Sequence, residues 1–525
     1  MRSSIALAAL CVASSSSGSY ADPLLLTPLI QEGKLDEAKK LAEVKIDGQS
    51  LGYSGYFSVK SASGKNTNNL FFWYQPCTAG CDPAKAELVQ WFQGGPGAPS
   101  MYGAIGEIGN TFVDADGKLQ ERCYSWCKDR NCLFVDSPVQ TGFSYQVNST
   151  GQFPGSDSIE YVTSSEDAME QVYGLLTQFL TIFPELQPAP YWVTGESYGG
   201  NYVAWMAKVV LRHNAMANSA IKINLKGVSV GDPILDLEAQ ALTYANTLYS
   251  MGLLMLDERE QVAAIMEAAN QALAKGDCAE GFGHWNKIWN DDNSGTEFLF
   301  HKFSGSKMTS NALLGDDGSS GLLKMDFSDY MKAHSDAFHF SGMPGTAQTD
   351  EGGAIYTTLV KSGDFCQKSA LIYLKELFAE ANLDVNIYSS NMDPLLGPPT
   401  TEAGIRTGLT AIDKLDAFYK QPKTIFHTSS SEVAPAGYAR CLPGSAGNRF
   451  CYSIIRNAGH TTPAFTPASA YDMTKRFFEG RPFDKTWFDD KPLACAACGG
   501  VAPFAGDSLP SCSCPKLAGP PSFVV

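Results

Sequence analysis

The chain has 525 residues, and its 55 Asp plus Glu against 39 Lys plus Arg leave a net charge of −16, which excludes simple electrostatic capture of nucleic acid or of an anionic membrane. At 44% hydrophobic and 18% charged, the composition is that of a globular protein able to bury a large core, not of a disordered or fibrous one.

In chain order, Met1-Arg2, the apolar run 5–13 and Ser19-Tyr20-Ala21 read as a secretory signal peptide over 1–21. No later run approaches the ~18 apolar residues of a membrane span. The expectation is a protein of the secretory pathway, secreted or delivered to a lysosome or vacuole, with no integral membrane segment. The 14 cysteines lose Cys11 with the signal, and most of the remaining 13 should pair, leaving one over. Cys77 with Cys81 and Cys441 with Cys451 are local candidates, and Cys123, Cys127 and Cys132 supply further partners. Asn148 opens the glycosylation sequon Asn148-Ser149-Thr150.

Residues 24–44 read as a short helical leader. Strands are predicted at 53–59, 69–75, 88–92, 131–136 and 191–194 from alternation and β-favouring runs. Between the last two, Met169, Val172, Leu176, Phe179, Leu180 and Phe183 recur at helical spacing across 164–183. Alternating strands and helices predict an α/β fold, a mostly parallel sheet covered by helices. From 239 to 341 the texture changes to helices such as 257–274 and a Gly/Ser/Asp-rich run, 305–321, read as a cap insertion. Strands resume at 385–389, 423–427 and 452–455, and a helix at 467–478 closes the core. The organisation is thus signal 1–21, core 22–238, cap 239–341, core 342–484 and Cys-rich tail 485–525. In an oxidising compartment the tail's Cys495, Cys498, Cys512 and Cys514 read as disulfide partners rather than zinc ligands.

Gly195-Glu196-Ser197-Tyr198-Gly199 fits Gly-x-Ser-x-Gly directly after a strand and before a helical stretch, 202–213. That is the context of a nucleophile elbow, a turn so sharp that Ser197 projects into the open. A serine hydroxyl needs a histidine to take its proton and a carboxylate to orient that histidine. His460, in the small-residue loop 457–463 after a strand, is the candidate base; His427 falls within an apparent strand. Asp393, after the strand at 385–389, is the candidate acid, with Asp413 and Asp416 as rivals on a helical stretch. Gln93-Gly94-Gly95-Pro96-Gly97 follows a strand and offers backbone N–H groups for an oxyanion hole, formed by the amides of Gly95 and Tyr198.

Together with Ala458-Gly459-His460 and Asp136-Ser137-Pro138 leading to Gly142-Phe143-Ser144-Tyr145, these motifs resemble the serine carboxypeptidases of the α/β-hydrolase fold. The vitellogenic-like branch is similar at 26–30, 70–73 and 431–434. The resemblance spans roughly 23–484. It implies a triad of Ser197, Asp393 and His460, no metal or other cofactor, and peptide or protein C-termini as substrates. It also implies that Gln93, Glu107 and Glu196, with the Gly94 amide, hold the substrate's terminal carboxylate. Two neighbouring Glu raise one another's proton affinity, so activity is expected to favour mildly acidic medium. Many family members have Asn at the position of Gln93, Gly-Asp at Ser390-Asn391 and Cys at Ala98; the last departure implies that the usual disulfide from this loop to the cap is missing. Acyl transfer to an alcohol and a non-catalytic protective or binding role are the alternatives to peptide hydrolysis. A homodimer is an open alternative to a monomer.

Overall fold

The computed structural model describes residues 23–485, apart from 79, 115, 219–220, 290–297, 307–308, 313–326, 341–352 and 429–433. The signal peptide, most of the run 305–321, the 431–433 part of one branch-specific motif and the Cys-rich tail lie outside the described residues.

The strands are Glu43–Ile46 (β1), Gln49–Lys60 (β2), Thr67–Gln75 (β3), Leu88–Phe92 (β4), Thr111–Val113 (β5), Leu119–Glu121 (β6), Asn131–Val135 (β7), Tyr145–Val147 (β8), Tyr191–Glu196 (β9), Leu225–Gly231 (β10), Asp384–Ser390 (β11), Thr424–Phe426 (β12), Gly437–Pro443 (β13) and Arg449–Ile455 (β14). β5 and β6 form a separate hairpin; the other twelve make one sheet in the order β1-β2-β3-β7-β4-β9-β10-β11-β14-β13-β12, with β8 paired to β3. From β7 through β14 every pairing is parallel, and the margins on both sides are antiparallel.

β4, β7 and β9 are buried along their whole length, as strands covered by helices on both faces must be. Successive residues of β3 serve opposite faces. Leu70, Phe72 and Tyr74 join the core beneath the helices Ser165–Ile182 and Gly199–Ala215, whereas Phe71 and Trp73 join Trp91, Phe134 and Phe477 on the other side. The first of these helices starts where the sequence places it: Ser164 caps it by accepting the Asp167 N–H at 3.0 Å, and Glu166 and Asp167 sit in the positive first turn.

The leader is helical as read, in two short helices, Thr27–Gln31 and Leu35–Leu41, before β1 begins at Glu43. β10 carries no strong strand signal because two of its seven residues are glycine. A Cβ on Gly227 would lie 2.2 Å from the Asp384 carbonyl oxygen, and one on Gly231 would lie 2.3 Å from the Tyr388 ring. The close approach of β11 thus excludes the β-branched residues by which a strand is recognised.

Between β10 and β11 the chain is helical, including Leu256–Ala274, Cys278–Trp289 and Ala354–Lys361. Disulfide Cys278–Cys366 ties this stretch together; the sequence reading did not anticipate it. Cys77–Cys81, Cys127–Cys132 and Cys441–Cys451 are the other disulfides among the described residues.

Candidate active site

The triad candidates and the Gly-rich loop collect at one end of the parallel strands because each follows a strand's C-terminus, while Glu196 is the last residue of β9 and Glu107 comes from the short helix Gly103–Glu107. β4 leads into Gln93, β9 into Ser197, β11 into Asp393 and β14 into the loop of His460. β4 lies between β7 and β9, so the strand order reverses beside it and opens the crevice that such sheets use for ligands. The Gly-rich loop and the elbow therefore face each other.

Ser197 has φ +60°, a backbone conformation uncommon outside glycine and the hallmark of a tight elbow. Its N–H donates to the Gly231 carbonyl at 2.9 Å, and its own carbonyl accepts from Ile234 N–H at 3.2 Å. Gly94 backs directly onto this turn: a Cβ there would lie 2.7 Å from Ser197 Cβ and 2.8 Å from the Tyr198 nitrogen. The loop needs glycine at this point to bring its backbone beside the elbow. Gly95, with φ +103°, then turns the chain away.

His460 Nδ1 lies 2.7 Å from Asp393 Oδ2, and Asp393 Oδ1 accepts the Leu395 N–H at 2.8 Å. Burial alone would lower the proton affinity of His460. The adjacent Asp393 carboxylate outweighs it, with help from Glu107, and pushes the imidazole up to about 9. The His460 N–H donates to the Ser310 carbonyl at 2.6 Å, and Ala312 N–H to the Met392 carbonyl at 2.8 Å, so part of the helical stretch between β10 and β11 braces both loops. Asp413 and Asp416, the rival acids, are exposed. His427 stands just beyond β12, where its carbonyl accepts from Arg476.

A second cluster includes Glu196, the residue before Ser197. Gln93 Nε2 donates to Glu196 Oε1 at 2.6 Å and to Glu107 Oε1 at 3.1 Å, while Gln93 Oε1 accepts from Trp91 Nε1 at 2.9 Å. Its amide orientation is thereby fixed. All three residues are buried. Burial raises Glu107 to about 7, against the lowering effect of its contacts with Glu196 and Gln93. Burial, then the neighbouring Glu107 charge, raises Glu196 well above the ordinary carboxylate range. Glu196 is thus the member that keeps a proton.

Two supporting carboxylates were assigned no role from the sequence, although Asp136 stands in one of its motifs. Asp136 is buried and accepts N–H groups from Met101 (3.3 Å) and Phe143 (3.0 Å), stitching the segment after the Gly-rich loop to the 137–145 block. Gly142, at φ +56°, is obligatory there, since a Cβ would lie 2.2 Å from Asp136 Oδ2. Asp364 accepts the Tyr198 hydroxyl and, at 2.9 and 2.6 Å, the N–H and hydroxyl of Ser165. Asp232, Asp393 and His460 each bring a donor atom within 4.8 Å of the others, a spacing that a cation could use. All four oxygens of the two carboxylates are already engaged by N–H or O–H groups, which suits a proton relay better than a cation cage.

Residues 45–480 match the serine carboxypeptidase family. The chain belongs to that family. It is 31% identical over 474 residues to the venom serine carboxypeptidase of Apis mellifera, covering 88% of this chain and 92% of that one. It is 30% identical to the vitellogenic carboxypeptidase of Aedes aegypti, covering 88% and 90%, and 29% identical to the human probable serine carboxypeptidase CPVL, covering 89% and 92%. Among solved structures it resembles Kex1, a prohormone-processing carboxypeptidase from Saccharomyces cerevisiae, with a TM-score of 0.58 at 19% identity over 82% of this chain and 92% of that one. The fold is therefore that of an α/β hydrolase, and the chain is a serine-type carboxypeptidase, a hydrolase acting on peptides. Among the described residues no helix is long and apolar enough to cross a membrane.

Proposed function

We propose that Ser197, His460 and Asp393 carry the hydrolysis and that Gln93, Glu107, Glu196 and the Gly94 amide select substrates with a free C-terminal carboxylate. The observation that carries this reading is an Asp-held imidazole, a buried Glu pair bridged by Gln93, and one strained serine at the ends of the parallel strands. Ser197 Oγ attacks the last peptide carbonyl as its proton passes to His460, whose Nδ1–H is held by Asp393. The oxyanion is met by the N–H groups of Gly95 and Tyr198. His460 then returns the proton to the departing amine, leaving an acyl-enzyme that water releases by the same steps in reverse.

The pair Glu107 and Glu196 shares the neutral amide of Gln93, so with Glu196 protonated it can donate to a substrate carboxylate, whereas the charge that Glu107 gains on ionising repels one. Binding should therefore weaken as pH rises through about 7, the value to which Glu107 is raised. The Glu107 charge is also one of those that hold the proton on His460. Protonating Glu107 thus completes the clamp and, at the same time, makes the base easier to deprotonate. Both effects favour mildly acidic conditions.

Four disulfides support passage through an oxidising secretory compartment, for secretion or for delivery to an acidic vesicle. Asn148, in a surface turn after β8, is the glycan acceptor in this reading. The test is mass spectrometry of a synthetic peptide incubated with wild type and Ser197→Ala at about pH 5 and about pH 7.5, bracketing the Glu107 titration. A ladder of C-terminally shortened products, strongest at the lower pH and absent with the variant, supports the proposal. A ladder that persists with Ser197→Ala contradicts it.

A further inference from the structure

The three candidate triad residues come from three separate strand ends, and something must hold those ends in register to a few tenths of an ångström. The chain segment immediately after β10 touches all three. On one side it grips the elbow: Gly231 carbonyl accepts the Ser197 N–H at 2.9 Å, and Ile234 N–H donates to the Ser197 carbonyl at 3.2 Å. Pro233 closes against Gly200, where a Cβ would lie 2.9 Å from Pro233 Cβ.

On its other side stands Asp232, fully buried and at φ +42°. Its N–H donates to the Tyr388 carbonyl at 2.8 Å. Its Oδ1 accepts the backbone N–H of Ser390 at 2.7 Å, three residues before Asp393. Its Oδ2 lies 2.9 Å from the hydroxyl of Thr462, two residues after His460. Thr462 Oγ1 is in turn 2.5 Å from Ser390 Oγ, and the Thr462 N–H donates to the His460 carbonyl at 3.1 Å. One carboxyl group thus joins the turn of the acid to the loop of the base, while its chain neighbours hold the nucleophile.

We propose that Asp232 is a positioning residue of this active site, fixing Asp393 and His460 in register with Ser197 through Ser390 and Thr462. The inference rests on the triad reading given above. Asp232 needs only to accept at one oxygen and to share a hydrogen bond at the other, which a neutral acid does as well as a carboxylate. Its surroundings favour the neutral acid. It faces Asp393 on the turn after β11, His460 on the loop after β14, Glu196 at the end of β9 and the phenols of Tyr388 and Tyr452, with His460 the one basic group among them. Burial, then the Asp393 charge, raises its proton affinity well above the ordinary carboxylate range. With the proton on Oδ2, Asp232 donates to Thr462, and Thr462 donates to Ser390 Oγ.

The experiment compares Asp232→Ala, Asp232→Asn and Thr462→Val with wild type and Ser197→Ala, using a peptide substrate and reading kcat and KM separately across pH. Loss of register by about 1 Å costs roughly 10²-fold in rate. Asp232→Ala is therefore expected to lower kcat by roughly that factor and Thr462→Val by about tenfold, with KM moved less than about threefold in both. Asn can accept from Ser390 N–H and donate to Thr462. It should restore most of the turnover lost in the alanine variant and leave the acid limb of the pH profile in place, as a neutral side chain replacing a neutral acid must. If Asp232→Ala does not fold, judged by circular dichroism, Thr462→Val and the asparagine variant carry the test. Full turnover in Asp232→Ala or Thr462→Val, with Ser197→Ala inactive, overturns the positioning role and spares the triad. Loss in Asp232→Asn as deep as in the alanine variant also overturns it, because a charge would then be what matters. Turnover that survives in Ser197→Ala removes the triad reading and this inference with it.

Discussion

Two acid clusters gather at the strand ends near Ser197, and they handle protons in opposite ways. In the cluster of Gln93, Glu107 and Glu196, two carboxyl groups share a neutral amide, and burial outweighs the charges of Arg122 and His460 and keeps a proton on the pair. In the pair of Asp393 and His460, an imidazole stands against one carboxylate at 2.7 Å and takes the proton instead. The difference teaches that burial does not dictate protonation; the partner does. A cluster that stores a proton is suited to receiving an anionic substrate end, and a cluster that exchanges one is suited to chemistry.

The strongest way to break the comparison is to disable the second cluster. His460→Ala or Asp393→Asn should lower kcat by roughly 10⁴ or more with little change in KM, measured by steady-state peptide hydrolysis. Next in size is the wall between the clusters. Gly94→Ala drives a Cβ to within 2.7 Å of Ser197 Cβ and should displace the oxyanion donors, lowering kcat by roughly 10²-fold, the scale of losing one such donor. Retained turnover in that variant would place the oxyanion site elsewhere.

A smaller effect sharpens the other cluster. Glu107→Gln holds the pair permanently in a neutral form, so its KM for a peptide should stay flat where that of wild type rises by roughly tenfold per pH unit above about 7. Above about pH 7 its kcat should also exceed that of wild type, where the ionised Glu107 helps to hold the proton on His460.

A separate effect is on stability, and its sign is fixed. Glu107 rises in the folded protein from an ordinary 4.5 to about 7 and Asp136 from 3.8 to about 7, so the folded chain binds protons that the unfolded chain has released. This stabilisation is complete below about pH 4 and is lost as pH climbs to about 7, on the order of 3 kcal/mol per group. Calorimetry should find a higher Tm near pH 5 than near pH 7.5, and a smaller difference in Glu107→Gln.

Much of this was legible in the sequence because glycine and small residues mark the places where backbone must come close. Gly195 to Gly199, Gln93 to Gly97 and Ala458 to His460 announced three of the strand ends, and the helices at 165–182 and 467–478 followed from their apolar spacing. Asp232 was not legible. Its strand is disguised by Gly227 and Gly231, and a lone Gly-Asp-Pro looks like an ordinary turn until β10 is seen between the strands that lead to Ser197 and Asp393. Asp136 and Asp364 were hidden for a related reason. Their roles lie in backbone and hydroxyl groups up to 199 residues away, and no local pattern encodes such partners.

The division of labour between the clusters is tested most directly by pairing a peptide that has a free C-terminal carboxylate with its C-terminal methyl ester and measuring kcat/KM for both, in wild type and in Glu107→Gln, from about pH 5 to about pH 8.5, bracketing the raised Glu107 titration. The expected result is that wild-type preference for the free carboxylate is strong near pH 5 and collapses above about 7, while the ester follows His460 alone and the variant keeps its preference throughout. A preference that stays constant with pH in wild type, or that collapses identically in the variant, would contradict the account.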